Sequence, residues 1–343
     1  LSMSKKNSSV NLKNGFKDNK KISNIFHNFK KKLDTLNKKT YLVAVSGGPD
    51  SLALVALTKA YTYYKNIEFH YVLVDHNIRK NSNHEAKQVK KLLKKEKIEL
   101  KILVNKKKIL KNIQAQARDV RYDILINYCK KNKLPVILTA HNLEDQVETF
   151  FIRLSRGSGL KGLSAMRSLS KISSNVNLCR PLLDIKKDIL TKISKNVFGK
   201  YFKDPSNKNS KYLRTKIRGL KRHLEKSGIK YEQIFRSIQN LSISRSTLDE
   251  YLNKIFNELI KKSNKEILIN FKRYKELSND AKMALINEAI KKLKKNYYDI
   301  RSKKVRNLIE NIDKREFKKS TLGGCIFFKK GENLCLKAEK FKF

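Results

Sequence analysis

The sequence has no tryptophan, only four prolines and four cysteines, and few acidic side chains: 31 aspartates and glutamates stand against 79 lysines and arginines in 343 residues. No apolar run approaches the roughly 20 residues of a membrane-spanning helix, so no membrane partner is expected. Cys129, Cys179, Cys325 and Cys335 form no C-x-x-C pair and have no histidines at zinc spacing. Neither a zinc ribbon nor a disulfide framework is therefore read from them. Scattered thiols of this kind point to a reducing, cytoplasmic setting. Cys325 and Cys335 are spaced to face each other across a hairpin, which is read as incidental. Residues Leu1 to about Lys21 lack the apolar core of a secretory signal and are rich in Lys, Asn and Ser. They are expected to form a disordered basic tail, set here at residues 1–22.

The shortage of acid leaves a formal net charge of +48. That excess points to a polyanionic partner, most simply nucleic acid, although lysine, asparagine and isoleucine are over-used throughout and compositional drift supplies part of it. Arginine is the more informative cation, because a chain that uses lysine by default places arginine where a planar, bidentate donor is wanted. Arg79, Arg118, Arg121, Arg153, Arg156, Arg180, Arg214 and Arg218 fall mainly in motif-like stretches.

What is present is most specific at Val43-Ala44-Val45-Ser46-Gly47-Gly48-Pro49-Asp50-Ser51. A β-branched run from Tyr41 to Val45 breaks at two glycines and enters an apolar run long enough for a buried helix. The reading is strand, tight turn, helix. Gly47 and Gly48 allow close backbone approach and φ > 0, and Pro49 suits a first helical turn. Amide groups and the helix dipole there favour an anion, with Ser46 and Ser51 adding hydroxyls. The loop lacks the lysine of the ordinary nucleotide P-loop and instead carries Asp50, a candidate magnesium ligand.

Strand and helix then alternate, which predicts a doubly wound α/β fold with a mainly parallel sheet. A helix carrying Ile25, Phe26, Phe29, Leu33 and Leu36 precedes the first strand. Ile67–Asp75 is a second strand whose carboxyl end presents Asp75, where open α/β sheets bind ligands. A helix from Asn83 to about Glu96 and a strand at Leu100–Val104 follow. Arg118 and Arg121 share a helix face suited to clamping phosphate. Pro135–Ala140 reads as a central strand. If the next segment is helical from its start, His141, Asp145 and Glu148 lie on one face at i, i+4 and i+7, suited to magnesium, an ammonium group or proton transfer. Arg156–Leu163 is a glycine-rich loop read as a flexible flap, and Arg180-Pro181-Leu182-Leu183 as a strand edge. Arg214 and Arg218 lie at i, i+4 on a basic helix. Residues 231–296 read as helices with apolar stripes and lysine faces, and 322–336 as a terminal β-hairpin.

Taken together, S-G-G-P-D-S at 46–51, D-H-N-I-R at 75–79, A-R-D-V-R-Y at 117–122, T-A-H-N-L-E-D-Q-V-E-T at 139–149, R-G-S-G-L-K-G-L at 156–163, R-P-L-L at 180–183 and D-P-S-N at 204–207 resemble the tRNA(Ile)-lysidine synthetase family of the PP-loop ATP pyrophosphatase superfamily. The resemblance runs from about Tyr41 to Arg218; Thr215-Lys216 stands where the family usually has asparagine. It implies an adenine nucleotide α-hydrolase-like catalytic domain at 23–228 and a smaller helical, α+β domain at 229–343 that grips tRNA. It further implies ATP and Mg2+, with Ser46, Gly47, Gly48, Pro49, Asp50, Ser51 and Asp75 holding the nucleotide and Asp50 and Asp145 the metal. Asp145 and Glu148 would meet the ammonium groups of free L-lysine or the metal, with His141 nearby and Arg118 orienting the nucleotide. Arg156, Arg214 and Arg218 would contact a tRNA(Ile) bearing a CAU anticodon. Oligomeric state is left open, a homodimer included. The rival readings are another adenylating tRNA-modifying enzyme such as a thiolase, GMP or NAD synthetase, and a non-catalytic RNA-binding protein.

Overall fold

The computed structural model describes residues 12–14, 16–17, 19–78, 81–107, 113–202, 213–263, 266–294, 300 and 302–339. Arg79 and the Asp204-Pro205-Ser206-Asn207 segment lie outside the described residues. The chain divides into two compact units, Leu1–Ser242 and Ile243–Phe343. The division lies beyond the expected 228/229 and inside one uninterrupted helix, so no composition shift or breaker marks it.

In the first unit, helix α1 (Lys20–Leu36) buries the apolar stripe Ile22, Ile25, Phe26, Phe29 and Leu33. Leu12 and Phe16 are also buried, with Phe16 edge-on to Phe26 at 5.9 Å. The stretch read as a tail thus contributes two core side chains, because isolated hydrophobes in a lysine-rich segment still have an apolar surface to cover. Strand β1 (Thr40–Val45) sends Tyr41, Val43 and Val45 to one face of the sheet and Leu42 to the other. Helix α2 (Pro49–Tyr61) is buried almost all round, as a helix must be when both the sheet and other helices enclose it. Then come β2 (Glu68–Asp75), α3 (Ser82–Lys95), β3 (Leu100–Val104), α4 (Ile113–Lys131) and β4 (Val136–Leu138).

Strand order is β3-β2-β1-β4-β6-β5, with β5 (Leu169–Lys171) and β6 (Asn177–Cys179) completing the sheet. Every pairing is parallel except that of edge strand β5 with β6. Helices α1, α2 and α3, with α7 (Lys187–Phe198), cover one face, and α4 covers the other through Leu125 and Cys129. The fold is doubly wound. Its order reverses between β1 and β4, and that reversal leaves a crevice at the strands' carboxyl ends.

Three local readings change. The helix after β4, α5 (Leu143–Leu154), starts two residues past His141, because Asn142 caps it: Asn142 Oδ1 accepts from the Asp145 amide at 3.0 Å and Asp145 Oδ2 accepts from the Asn142 amide at 3.1 Å. The reciprocal bonds satisfy amides that would otherwise be orphaned. The glycine-rich stretch holds a one-turn helix, α6 (Leu160–Leu163), tied down by Arg153, whose Nη1 donates to the carbonyls of Gly162 and Ala165 at 2.7 Å each. Arg180 follows β6 rather than lying within a strand, since 181–184 form a turn. Helices α8 (Leu213–Lys226) and the start of α9 (Tyr231–Leu259) join α5 in a small cluster containing Leu143, Val147, Tyr231 and Ile238.

The second unit holds a five-stranded antiparallel sheet, β7-β8-β11-β10-β9, with helices α10 (Phe271–Glu276), α11 (Asn279–Leu293) and α12 (Ser302–Asp313). Beyond the expected hairpin of β10 (Cys325–Lys330) and β11 (Asn333–Ala338), it adds β9 (Lys319–Leu322), β8 (Glu266–Asn270) and β7 (Ile260–Ser263). The stretch 231–296, expected to be helical throughout, thus contains strands β7 and β8: five residues of β8 are too few for periodicity to separate from helix, and its pairing with β11 decides the matter. Cys325 pairs with Ala338, and Cys335 with Phe328, so the two cysteines do not oppose each other.

Candidate active site

The loop after β1 is held open by its own hydrogen bonds. Ser51 Oγ donates to the Gly48 carbonyl at 2.9 Å and accepts from the Ser46 amide and hydroxyl at 3.2 and 3.1 Å. Gly47 has φ +79°, whereas Gly48 is extended at φ −72° and caps α2, with Pro49 at its first position. Only one of the two glycines therefore uses the left-handed region. The other brings the backbone close without a side chain.

A crevice of about 290 Å³ opens beside this loop. It brings Ser46, Asp50 and Ser51 together with His141, Asp145, Arg118 and Arg214. Groups from four separate motifs therefore share one rim. Arg121, Tyr122 and Thr139 also line it. Arg121 and Tyr122 belong to the A-R-D-V-R-Y segment and Thr139 opens T-A-H-N-L-E-D-Q-V-E-T, but the sequence assigns Tyr122 and Thr139 no role of their own. Lys187, at the start of α7, places Nζ 3.9 Å from Asp50 Oδ2. In a chain this rich in lysine, nothing in the sequence singles it out.

The charges are unevenly supplied. Asp50 Oδ1 is buried and accepts no hydrogen bond among the described residues. Burial, with Asp145 as a neighbouring charge, pushes its carboxyl up to about 6 against the opposing pull of Lys187. His141 hydrogen bonds through Nδ1 with Thr139 Oγ1 at 2.9 Å. Burial first, then the guanidiniums of Arg180, Arg118 and Arg214, push its pKa down to about 4 against the pull of Asp145. The imidazole is therefore neutral at pH 7 and acts by hydrogen bonding rather than as a cation. Arg121 is drawn below its ordinary value by burial and by Arg118 and Arg214, and its Nε has no partner among the described residues. Arg118 lies over the Tyr122 ring at 5.2 Å. A wall of guanidiniums facing one crevice calls for an anion.

Other expected residues stand elsewhere. Asp75 is buried at the end of β2, and its Oδ1 accepts from the Asn77 amide at 2.9 Å. This closes a turn, and Asp75 does not line the crevice. Glu148 is buried behind the crevice and accepts from Arg218 through both oxygens, at 2.6 and 3.2 Å; Arg214 Nε is 3.4 Å from Oε2. Arg218 thus faces a carboxylate inside the fold. Arg156 is exposed in the turn after α5.

Magnesium fits this donor set. A buried carboxylate oxygen without a partner, raised in pKa and close to a second carboxylate, is the environment a divalent cation relieves. Among the described residues no three His, Cys, Asp or Glu side chains converge on one point. Asp50 and Asp145 would hold the ion with phosphate oxygens and water completing its shell. Among the described residues no helix is long and apolar enough to cross a membrane.

Comparison with known proteins agrees with this geometry. Residues 17–224 match the PP-loop domain family. The chain is 33% identical over 296 residues to the tRNA(Ile)-lysidine synthase of Orientia tsutsugamushi, covering 83% of this chain and 66% of that protein. It is 30% identical over 299 residues to the tRNA(Ile)-lysidine synthase of Wolbachia pipientis, covering 86% and 69%. The chain spans about two thirds of the length of these curated relatives. A U34-tRNA thiolase from Methanococcus maripaludis, solved with its [4Fe-4S] cluster, superposes with a TM-score of 0.54 at 22% identity, covering 64% of this chain and 79% of that one. That likeness concerns the fold alone. With a PP-loop domain over most of its first unit and lysidine synthases aligned along more than four fifths of its length, the chain belongs to the tRNA(Ile)-lysidine synthase family.

Proposed function

We propose that this chain makes lysidine: it uses ATP to adenylate the C2 oxygen of the wobble cytidine in the CAU anticodon of tRNA(Ile), and the ε-amine of free lysine then displaces AMP. Pyrophosphate leaves in the first step and AMP in the second. The observation that carries the reading is the shared crevice, where the Ser46–Ser51 loop meets His141, Asp145 and a guanidinium wall at the switch point of the sheet. The loop amides and the Ser46 hydroxyl receive the departing pyrophosphate. Bound magnesium would neutralise the charge that accumulates on it. Arg118 and Arg214 orient the phosphate of the adenylate, and Asp145, which would also help to hold the metal, stands where the lysine ε-ammonium gives up the proton it must lose before its nitrogen attacks. Proximity then supplies much of the rate, because the amine is held beside an activated carbon.

The thiolase reading asks for a reactive sulfur near the loop. Cys129 and Cys179 are buried, and burial pushes their thiols up to about 12 and about 11, the reverse of a poised thiolate. Neither lines the crevice. Purified protein given ATP, magnesium, radiolabelled lysine and tRNA(Ile) with a CAU anticodon is expected to incorporate label into the tRNA. Absence of label, with sulfur transfer in its place, would reject the proposal.

The second unit suits a role in holding the tRNA. One face of its sheet packs Ile267, Ile269, Phe327, Leu334 and Leu336 into the core. The other carries half-exposed Leu268, Ile326 and Phe328 among exposed Lys261, Lys319, Lys330 and Lys337, with Lys337 over the Phe328 ring at 5.2 Å. Aromatic and basic groups mixed on an open sheet suit nucleic acid. Replacing Lys319, Lys330 and Lys337 together by glutamate is expected to weaken tRNA binding at least tenfold and to flatten its salt dependence. Filter binding across a salt series measures both, and an unchanged slope would take this face out of the interface.

A further inference from the structure

Both oxygens of Glu148 are already committed. The side chain is 3% exposed, Arg218 grips it through two bonds, and Arg214 stands 3.4 Å away. It does not line the crevice, whereas Asp145, one turn earlier, and Arg214 do. Burial pushes the Glu148 carboxyl up and the two guanidiniums oppose that, so its charge depends on them. The other contacts of the helix carrying those arginines are modest: half-buried Leu224 packs against the α5 cluster, and Lys221 lies over the Tyr231 ring at 5.0 Å. Among its described residues α8 buries only Ile217, and its other ion pair to α5, Lys221 with Glu144, spans 3.7 Å with a half-exposed lysine. Paired surface charges of that kind stabilise little. A buried carboxylate that loses its partner is strongly destabilising, so the Glu148 contacts set where α8 lies.

We propose that Glu148 is a positioning residue rather than a ligand of lysine or metal: it acts through Arg218 and Arg214, fixing α8 on α5 so that the Arg214 guanidinium stands in the crevice wall. The inference rests on the reaction proposed above for what Arg214 meets, namely a phosphate group of the substrates. The reason for the arrangement is geometric. Arg214 is a long side chain on the second residue of its helix, and without a fixed helix its guanidinium has no fixed place.

The test uses the full chain and the variants Glu148→Gln, Glu148→Asp, Arg214→Met and the double Glu148→Gln/Arg214→Met, with each substrate varied in turn. Glu148→Gln is expected to lower kcat/KM for tRNA about a hundredfold, the size of effect a displaced group produces. KM for lysine and half-saturation by magnesium should stay within about twofold of wild type, since a residue that touches neither has no direct effect on them. Arg214→Met should lose a similar amount, and the double variant should be no worse than Arg214→Met, because both changes remove one unit. Glu148→Asp, which keeps the charge, should recover at least tenfold of the loss. A rise of about tenfold or more in the KM for lysine, or multiplication of the two losses in the double variant, would overturn the proposal. Hydrogen exchange over residues 213–226 gives an arm independent of turnover. Faster exchange there in Glu148→Gln is expected, and unchanged exchange overturns the brace. A wild-type chain that incorporates no lysine counts against the reaction and leaves the exchange arm to decide the brace.

Discussion

Asp50→Asn is expected to slow ATP-dependent release of pyrophosphate about a thousandfold, since it removes the charge that would hold the metal against the departing phosphates. The same substitution is expected to stabilise the metal-free protein. Burial raises the Asp50 carboxyl to about 6 from an ordinary 3.8, so the folded state holds its proton more tightly than the unfolded chain does. The sign follows: the penalty is absent below about pH 4, grows as pH rises to about 6, and is fully present at neutral pH. With the side chain 23% exposed, solvent screening leaves roughly 2 kcal/mol of that penalty. Asparagine has nearly the same shape and no charge. Thermal melts at pH 7 without magnesium should therefore show the Asp50→Asn variant melting a few degrees higher than wild type, with the difference vanishing near pH 4. At low magnesium the wild-type rate should fall about tenfold per pH unit on its acid limb, and added magnesium should move that limb to lower pH because metal and proton compete for one carboxylate. An active Asp50→Asn enzyme would take this residue out of the site, and one with unchanged stability would mean that its buried oxygen is not unpaired.

Gly47→Ala is the second large effect. At φ +79° an L-residue is strained, and a Cβ there would fall 2.5 Å from Val89 Cγ2 and 3.4 Å from Phe202 Cδ2. Val89 is a buried core residue of α3, and the Gly47 carbonyl accepts from the Phe202 amide at 3.0 Å. Backbone strain and overpacking together should cost about 2–4 kcal/mol. A denaturant midpoint measures that loss. Pyrophosphate release should fall by at least a hundredfold, because the loop amides no longer point together. Gly48→Ala is the contrast: with φ −72° and its nearest neighbour, Ser46 Oγ, at 3.6 Å, it should change stability by less than about 1 kcal/mol. Equal destabilisation by the two would mean that Gly47 is not special.

Much of this molecule was legible before any coordinates. Two glycines and a proline after a β-branched run specify strand, turn and helix locally. Continued alternation of short apolar strands with amphipathic helices permits little but a doubly wound sheet, and that topology places the ends of β1 and β4 side by side. The chemistry of the rim therefore follows from sequence as far as Ser46, Asp50, His141 and Asp145 are concerned. It does not reach the surroundings of Asp75, Glu148 and Lys187, and the three share a cause. A motif names residue types and a helix face, but not the neighbour that arrives from another part of the chain. Glu148 lies one turn from Asp145, yet α8 brings Arg218 to it from 70 residues away. Asp75 spends an oxygen on its own turn, and Lys187 is one cation among many until folding sets it against Asp50. The five-residue strand β8 likewise lay in a stretch read as helix, and its pairing with β11 made it a strand. What the sequence determined alone was the set of local conformations and hence the rim. Which charges neutralise one another, and so which remain to meet a ligand, was decided only by the tertiary structure, because electrostatic partners are chosen by distance in space and not by spacing along the chain.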